Sequence, residues 1–256
     1  MTIVKSRRSV HAIGSTTVVI TNNRFKDNLR QGIFLERSQA EIVGNLIGDT
    51  KPDQDGFHGQ GINTNPGEAV IRKNTISGSW HFGIVGQAGS KLLDPTASLA
   101  RNRITGTKKD RDNKNGIGLF AGEESKVTLN DVTITGSEDA GIWATDFAKV
   151  TLEKSTVRDN GFHGVYATLS ASITIKQTTA SNNIGTGIQL GATDLSGEAV
   201  QAEISENTVQ KNGQCGVFVD GDIPSVTGQN NTISENAGGQ LCGKTSTFPT
   251  GFGGGK

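Results

Sequence analysis

Residues 160–167 read NGFHGVYA, and the same pattern returns as NIGTGIQL at 183–190 and as NGQCGVFV at 212–219. In each copy an Asn is followed four residues later by Gly and then by Ile or Val. This Gly-Ile or Gly-Val pair, called the marker below, defines one repeat of the chain. The markers are Gly32-Ile33, Gly61-Ile62, Gly83-Ile84, Gly116-Ile117, Gly141-Ile142, Gly164-Val165, Gly187-Ile188 and Gly216-Val217.

The segments between the markers are repetitive too. Successive marker glycines lie 29, 22, 33, 25, 23, 23 and 29 residues apart, and alternating segments such as Ala202-Ile204-Asn207-Val209 recur between them. The alternation predicts short β-strands. A unit of about 23 residues cannot bury a core alone, so the units are expected to stack on one another. A small or polar residue stands four positions before almost every marker, at Asn28, Ser79, Asp112, Ser137, Asn160, Asn183, Asn212 and Asn236, with Phe57 as the exception.

These repeats resemble those of the right-handed parallel β-helix family, the fold of pectate-lyase-like proteins. The resemblance covers nearly the whole chain. It implies an all-β fold, a single-stranded right-handed parallel β-helix (solenoid) of about nine to ten coils. The helix is expected over residues 1–243, followed by a Gly-rich flexible tail over 244–256. Residues that follow the marker glycines should face inward, and the Asn residues should form an internal amide ladder.

The composition excludes two classes of partner. The 25 basic and 25 acidic residues give a net charge of zero, whereas proteins that bind nucleic acid or membrane surfaces carry a basic surplus. No apolar run approaches the roughly 20 residues of a membrane-spanning helix. We therefore expect no nucleic-acid partner and no membrane insertion. The resemblance implies an extracellular or cell-surface location, although the N-terminus carries no signal peptide.

Both ends of the predicted solenoid raise questions of packing. No amphipathic helix precedes the first coil, so a partner domain or subunit is expected to cap it. Cys215 and Cys242 fall on the last two coils, about three positions out of register. This offset leaves two alternatives: a disulfide that distorts the terminal coil, or two free buried thiols.

The residues two positions after each marker glycine should point outward along one flat face. They are Phe34, Asn63, Val85, Gly118, Trp143, Tyr166, Gln189 and Phe218, and a further copy of the repeat at Ser9-Val10 adds His11. Trp143 and Tyr166 fall on adjacent coils and are candidates for stacking on sugar rings. The alternative is that the two rings cover apolar surface or contact another subunit.

A first catalytic set lies around this aromatic pair. An enzyme that acts on a uronic acid needs a base for the C5 proton and a proton donor at the leaving oxygen. His163 as base, Tyr166 as donor and Asp139 as orienting group satisfy this requirement. The alternative is that these are solvated turn residues.

Two charged insertions supply a second set. They are predicted to flank the coil that carries Trp80, His81 and Phe82, and so to form a groove. Asp49, Asp53, Asp55, Asp110 and Asp112 have oxygen-rich spacing that suits Ca²⁺. Lys108, Lys109 and Arg111, with Trp80 as a floor, suit an acidic polysaccharide. His58 and His81 are further catalytic candidates, and Asp55-Gly56-Phe57-His58 resembles the Asp-Pro-His core of mannuronan epimerases without its proline. The alternative is a pair of solvated loops.

Two functions remain open at this point. The first is a carbohydrate-recognising β-helix protein that acts as a polysaccharide lyase or uronate C5-epimerase. Its partner would be a uronate-containing polysaccharide, and Ca²⁺ would be the cofactor that the resemblance implies. The second is a non-catalytic structural, adhesin or protein-interaction module of a larger surface protein.

Overall fold

The computed structural model describes residues 1–14, 17–56, 58–93, 101–191, 200–220, 225–244 and 248–253. In these ranges the chain forms 29 short strands in three parallel sheets and no helix. Each strand pairs in parallel with the equivalent strands of the coils above and below it. The all-β parallel solenoid predicted from the repeats is therefore confirmed.

The three sheets run the length of the solenoid. The first sheet consists of β1 (Thr2–Val4), β4 (Arg24–Lys26), β7 (Leu46–Gly48), β10 (Thr75–Ser77), β13 (Arg103–Thr105), β16 (Thr133–Thr135), β19 (Thr156–Arg158), β22 (Thr179–Ser181), β25 (Thr208–Gln210) and β28 (Thr232–Ser234). The second sheet, called the marker sheet, consists of β2 (Arg8–Ile13), β5 (Gln31–Glu36), β8 (Gln60–Thr64), β11 (Phe82–Gly86), β14 (Ile117–Ala121), β17 (Ile142–Ala144), β20 (Val165–Ala167), β23 (Ile188–Leu190), β26 (Cys215–Val219) and β29 (Gly239–Gly243). The third sheet consists of β3 (Val18–Thr21), β6 (Ser38–Val43), β9 (Gly67–Arg72), β12 (Lys91–Leu93), β15 (Lys126–Asn130), β18 (Lys149–Glu153), β21 (Ser172–Lys176), β24 (Gln201–Ser205) and β27 (Ser225–Thr227).

The core is a stack of aliphatic side chains inside the solenoid. Residues that follow the marker glycines, such as Ile142, Val165 and Ile188, are paired in register and fully buried. The glycine before them is required by close approach between coils. A Cβ atom on Gly141 would lie 2.7 Å from the carbonyl oxygen of Gly164, a distance that real Cβ atoms do not tolerate.

Amide ladders satisfy the buried turns. Asn160, Asn183, Asn212 and Asn236 stack along the turn before the marker sheet, and each Nδ2 donates to the Oδ1 of the next over 2.8–2.9 Å. A second ladder at the turn before the first sheet includes Asn45 and Asn74. Because buried amides need partners, the return of Asn at the same place in each coil satisfies these turns, although the residues lie 23, 29 and 24 positions apart.

The structure corrects the predicted register of the coil with the longest insertion. Ile84 pairs with Leu119 and Val85 with Phe120, so the marker of that coil is Gly118-Leu119. The prediction of Gly116-Ile117 was wrong, because Ile117 pairs with Phe82 and belongs to the outer face.

The ladder position of the inserted coils also differs from the prediction. Thr50 and Thr107 are buried there, and their carbonyls accept the backbone N–H groups of Trp80 and Glu138 from the next coil. Asp112 therefore does not belong to the ladder, since both insertions follow the ladder residue. Phe57 lies outside the described residues.

The end of the solenoid beyond β29 is covered. Within the predicted flexible tail, Phe248 and Phe252 pack on the core, and the Phe252 carbonyl accepts Asn231 Nδ2 at 2.8 Å. Cys215 and Cys242 form a disulfide with Cα atoms 6.1 Å apart, which settles the alternative of free thiols. A search of the described residues finds no helix of the length and apolarity needed to span a membrane.

Candidate functional site

The outer face of the marker sheet carries two parallel rows of side chains. One row precedes the marker glycines and the other follows them by two positions. In register the first row reads Arg8, Gln31, Gln60, Phe82 and Ile117. The second reads His11, Phe34, Asn63, Val85, Phe120, Trp143 and Tyr166. Phe120 thus stands where the sequence predicted Gly118, and the rows change from polar to apolar along the solenoid.

The polar end of this face forms an open cavity of about 580 Å³, called the cleft. The two insertions meet beside it, because Arg111 Nη1 donates to the Gln54 carbonyl at 3.1 Å. The first insertion lines the cleft through Asp53, Asp55 and His58, whereas no residue of the second insertion lines it, so the groove between the two loops stays a prediction. The charged and titratable residues that line the cleft are Arg8, Arg30, Asp53, Asp55, His58 and His81.

Arg8 brings a positive charge to the cleft. Its Nε donates to Gln31 Oε1 at 2.7 Å, and its guanidinium lies 4.8 Å from the centroid of the Phe34 ring. Burial lowers the pKa of Arg8, and the positive charges of Arg30 and Arg7 lower it further. Arg8 makes no ion pair with a carboxylate of the described chain, so its charge is available to an anion.

His58 stands beside a second guanidinium. A terminal nitrogen of Arg30 contacts His58 Nε2, while Arg30 Nε lies 3.3 Å from Asp53 Oδ2. Burial lowers the pKa of His58, and Arg30 lowers it further, against an opposing effect of Asp53. Because an arginine can only donate, His58 is neutral and accepts this hydrogen bond at Nε2.

His81 is held by the second insertion. The Asn115 amide contacts His81 Nε2, and Asp110 Oδ2 lies 3.9 Å from the same atom. Burial lowers the pKa of His81, partly offset by Asp110. The other oxygen of Asp110 accepts the backbone N–H groups of Asp112 at 3.0 Å and Lys114 at 2.8 Å. Asp110 thereby fixes the loop that carries Asn115 to His81.

The predicted calcium ligands do not come together. Asp53 faces Arg30, and Asp110 accepts bonds from its own loop. Asp55 and Asp112 are exposed, and Asp49 lies in another turn, beside Gly78. Within the described ranges no three His, Cys, Asp or Glu residues are grouped as metal ligands would be. The donor set does not fit Ca²⁺, and no step below passes through a metal.

The predicted substrate-binding cations do not line the cleft and contact other groups. Lys108 Nζ lies 5.6 Å from the centroid of the Trp80 ring. The Lys109 backbone N–H donates to Glu138 Oε2 at 2.8 Å, and Arg111 joins the two loops as described. These residues extend the positively charged surface beyond Arg8 and Arg30.

The apolar end of the face is a stack of aromatic rings, called the aromatic ladder. Ring centroids are 5.0 Å apart for Phe82 and Phe120, 5.5 Å for Phe120 and Trp143, and 5.9 Å for Trp143 and Tyr166. The rings pack on one another and on the buried Val85. This geometry matches the alternative in which the rings cover apolar surface, since contact with neighbours leaves less ring face for a sugar.

The first predicted catalytic set lies at the far end of this ladder. His163 and Tyr166 are neighbours, with ring centroids 5.2 Å apart. Burial lowers the pKa of His163 to about 4, and its Nδ1 accepts the Thr186 backbone N–H at 3.1 Å. Burial raises the pKa of Asp139 and that of Tyr166, the latter also through the charges of Asp220 and Asp139. Three coils, or roughly 14 Å, separate Tyr166 from Val85, so this set does not join His58 and His81.

Sequence reasoning missed the cleft arginines and Phe120. Arg8 had a usable signal, because it stands in the register position of Gln31 and Gln60, one row before the row that was read. No repeat position in the sequence predicts Arg30, because its side chain reaches the cleft from a turn. Phe120 was missed because the marker of its coil was placed at Gly116 and not at Gly118.

Comparison with known proteins identifies the family. A family model described as a right handed beta helix region matches residues 8–93 and 92–250. The chain belongs to this family. No curated protein sequence matches this β-helix.

Two solved structures resemble the β-helix. The periplasmic alginate epimerase AlgG superposes with a TM-score of 0.59 at 11% identity, covering 97% of this chain and 75% of that one. The pectate lyase Pel9A superposes with a TM-score of 0.59 at 14% identity, covering 98% of this chain and 70% of that one. At these identities the likeness is one of fold.

Proposed function

We propose that the cleft binds a uronate-containing polysaccharide and that the β-helix acts on it as a lyase or C5-epimerase. One observation carries the proposal. An arginine without an anionic partner, Arg8, shares one open cavity with the neutral His58 and His81. Removal of the C5 proton of a uronate needs a cation at its carboxylate and a base near C5. The cleft supplies both kinds of group.

We assign each residue a role from its position in or beside the cleft. Arg8 and Arg30 hold the carboxylate, and His58 accepts the C5 proton. His81 lies on the adjacent coil and orients the sugar. Lys108, Lys109 and Arg111 bind carboxylates of neighbouring sugar units, with Trp80 beneath them. His163, Tyr166 and Asp139 remain a separate predicted set at the far end of the aromatic ladder.

The structural comparisons support this choice of substrate. One solved structure of similar fold is an alginate epimerase and another is a pectate lyase. Alginate and pectate are both polymers of uronic acids, which carry one carboxylate on each sugar.

The test is an assay on the two polymers. The protein is incubated with alginate and with pectate, while absorbance of the unsaturated uronate and inversion at C5 by NMR are followed. We expect one polymer to be turned over, and His58→Ala to abolish turnover. Arg103→Ala, exposed on the first sheet, serves as the control. Absence of turnover and of binding on both polymers would overturn the proposal.

A second candidate is a non-catalytic module of a larger surface protein. The observation in its favour is the aromatic ladder, whose rings mainly cover the sheet. Binding of a polyuronate without turnover, unaffected by His58→Ala, would favour this function.

The location follows from the same proposal. A disulfide joins Cys215 and Cys242, and disulfides persist in oxidising compartments. This supports an extracellular or cell-surface protein. Mass spectrometry of the natively purified protein after thiol alkylation tests it, and two alkylated cysteines would contradict it.

The first coil is the place where a partner would dock. Strands β1, β2 and β3 each form the end of their sheet in the described chain. Next to them Ile3, Val10 and Val18 are only partly buried. A partner domain or subunit that adds strands to this end would protect their backbone amides, which hydrogen exchange in the presence of the partner measures.

A further inference from the structure

All four histidines of the chain have at least one ring nitrogen in contact with another group of the protein, and His58 has both, since its Nδ1 lies 3.4 Å from Gln31 Nε2. His11 Nδ1 contacts Arg8 Nη1 at 3.3 Å, and His163 Nδ1 accepts the Thr186 N–H. His58 Nε2 contacts Arg30, and His81 Nε2 contacts the Asn115 amide. A neutral imidazole has only one nitrogen with a free lone pair. Each of these nitrogens must release its donor before it can accept a proton from a substrate.

The donors differ in how a substrate could displace them. The Thr186 N–H is fixed in the backbone, and the Asn115 amide is uncharged and has little affinity for a carboxylate. A guanidinium binds carboxylates strongly and in bidentate geometry. Arg8 is such a group, but it is anchored by Gln31 and its partner His11 is exposed at the edge of the cleft. Arg30 is the guanidinium whose partner, His58, is a half-buried residue inside the cleft.

We propose that Arg30 gates His58: the carboxylate of a bound uronate draws the Arg30 guanidinium away from His58 Nε2 and so frees the nitrogen that takes the C5 proton. This inference rests on the proposed function and adds a mechanism that determines when His58 can act as the base. The base is thereby released only when an ionised uronate occupies the cleft. A neutral sugar leaves Arg30 on His58, and the enzyme stays inactive.

The step is balanced. The C5–H bond breaks, its proton moves to His58 Nε2, and its electron pair is shared between C5 and the carboxylate that Arg30 and Arg8 hold. In epimerisation a water molecule in the open cleft donates a proton to the other face of C5, and His58 returns its proton to the resulting hydroxide. In elimination the C4–O bond breaks, C4=C5 forms, and the leaving oxygen takes a proton from water, to which His58 later returns its own.

Asp53 keeps Arg30 within reach during this exchange. Its Oδ2 lies 3.3 Å from Arg30 Nε, whereas the nitrogen that contacts His58 is the terminal Nη2. The side chains of Arg30 and Asp53 are 20% and 15% exposed, so both are accessible to a ligand yet confined. Asp53 therefore acts as a positioning residue for Arg30. The same insertion supplies the base and the group that holds its gate.

The experiment observes His58 directly and does not depend on turnover. In protein labelled with ¹⁵N at histidine, the Nε2 resonance of His58 is recorded at pH 7, alone and with a tetramer of galacturonate or of mannuronate. A neutral glucose tetramer is the control ligand. We expect the uronate tetramer to move the Nε2 resonance towards the position of an unbonded nitrogen, and the neutral tetramer to leave it unchanged. His58 faces Arg30, Asp53, Arg8 and His81, so all spectra are recorded at the same pH and compared with those of Arg30→Met.

Two variants make the result independent of the ligand. Arg30→Met should place the Nε2 resonance at the unbonded position in the free protein, with no further change on ligand addition. Arg24→Met, exposed on the first sheet, is the matched control and should behave as the wild type. Asp53→Asn should weaken the wild-type response by releasing Arg30.

The outcomes separate the two proposals. A uronate that shifts the Phe34 ring signals but leaves His58 Nε2 unchanged would overturn the gate while the binding site stands. An unchanged Nε2 resonance in Arg30→Met would also overturn the gate. Failure of both tetramers to bind, together with the expected change in Arg30→Met, would overturn the proposed function and, with it, the role of a uronate as the opener.

Discussion

The cleft and the aromatic ladder occupy the same two rows of the same sheet, yet they have opposite chemistry. In the cleft, side chains from two insertions contact the sheet and bring charged groups to its surface. Along the aromatic ladder the coils are 23 residues from Gly118 to Gly141, Gly164 and Gly187. There the rows carry apolar rings that cover one another.

This difference extends into the turn beneath the face. On the two inserted coils and on the coil that follows each of them, the ladder positions Thr50, Ser79, Thr107 and Ser137 carry buried hydroxyls without a partner in the described chain. From Asn160 onwards the same position carries amides that bond from coil to coil. From Asn160 onwards the ladder therefore contributes side-chain hydrogen bonds to stability. The coils around the two insertions lack these bonds. The predictions below test this division.

The largest expected effect concerns acid stability. Burial lowers the pKa of His163 to about 4, whereas an unfolded histidine titrates near 6.5. The folded state then binds this proton less readily, so stability is complete above pH of about 6.5 and is lost as the pH falls towards 4. We expect His163→Gln to remove roughly 3 kcal/mol of that loss, measured by urea unfolding at pH 7 and 4.5. His11→Gln is the exposed control, and equal acid slopes for wild type and His163→Gln would contradict the prediction.

The second effect concerns the charge of the cleft. Arg8→Gln removes a cation that stabilises the developing charge on the uronate carboxylate. We expect kcat/KM on the polymer that the assay identifies to fall by about 100-fold, or about 2.7 kcal/mol. Arg103→Gln, on the outer face of the first sheet, should have no effect. Full activity of Arg8→Gln would place the carboxylate site elsewhere.

The third effect contrasts two rings in the same row. Trp143→Ala removes a half-buried ring from the aromatic ladder and should cost about 2 kcal/mol of unfolding free energy, with kcat/KM unchanged for the folded protein. Phe34→Ala removes the ring under Arg8 and should mainly lower kcat/KM. Chemical denaturation and steady-state kinetics on both variants decide the matter. Loss of activity in Trp143→Ala would instead indicate sugar stacking on the ladder.

The smallest effect concerns the boundary between hydroxyl and amide ladder positions. Ser137→Asn should extend the amide ladder, since the Ser137 backbone N–H already donates to Asn160 Oδ1 at 3.1 Å. The marker Gly118 leaves space above this side chain, as Gly141 does above Asn160. We expect a gain of about 1 kcal/mol by urea unfolding. Ser137→Ala is the control, and no gain over that control would show that the amide does not fit.

The fold could be predicted from the sequence because each coil repeats the same local requirements. Gly164 must lack a side chain where coils approach, Val165 must be apolar inside, and Asn160 must find an amide one coil away. The candidate site could be predicted only in part. His58 and His81 were singled out from the insertions and the coil between them, and both line the cleft, whereas Arg8 and Arg30 were not predicted. An insertion breaks the spacing on which the prediction depends, and the false marker at Gly116 shows how.

The sequence by itself determined the solenoid, its inward stack and its amide ladders, because these depend on contacts between equivalent residues of a motif that recurs in every coil. The tertiary structure decided the register of the inserted coil, the disulfide and the contact of Arg30 with His58. These depend on which groups from different coils reach one another in space. The distance between Arg30 and His58 along the chain has no counterpart in the repeat, and only the folded coils bring the guanidinium to the imidazole.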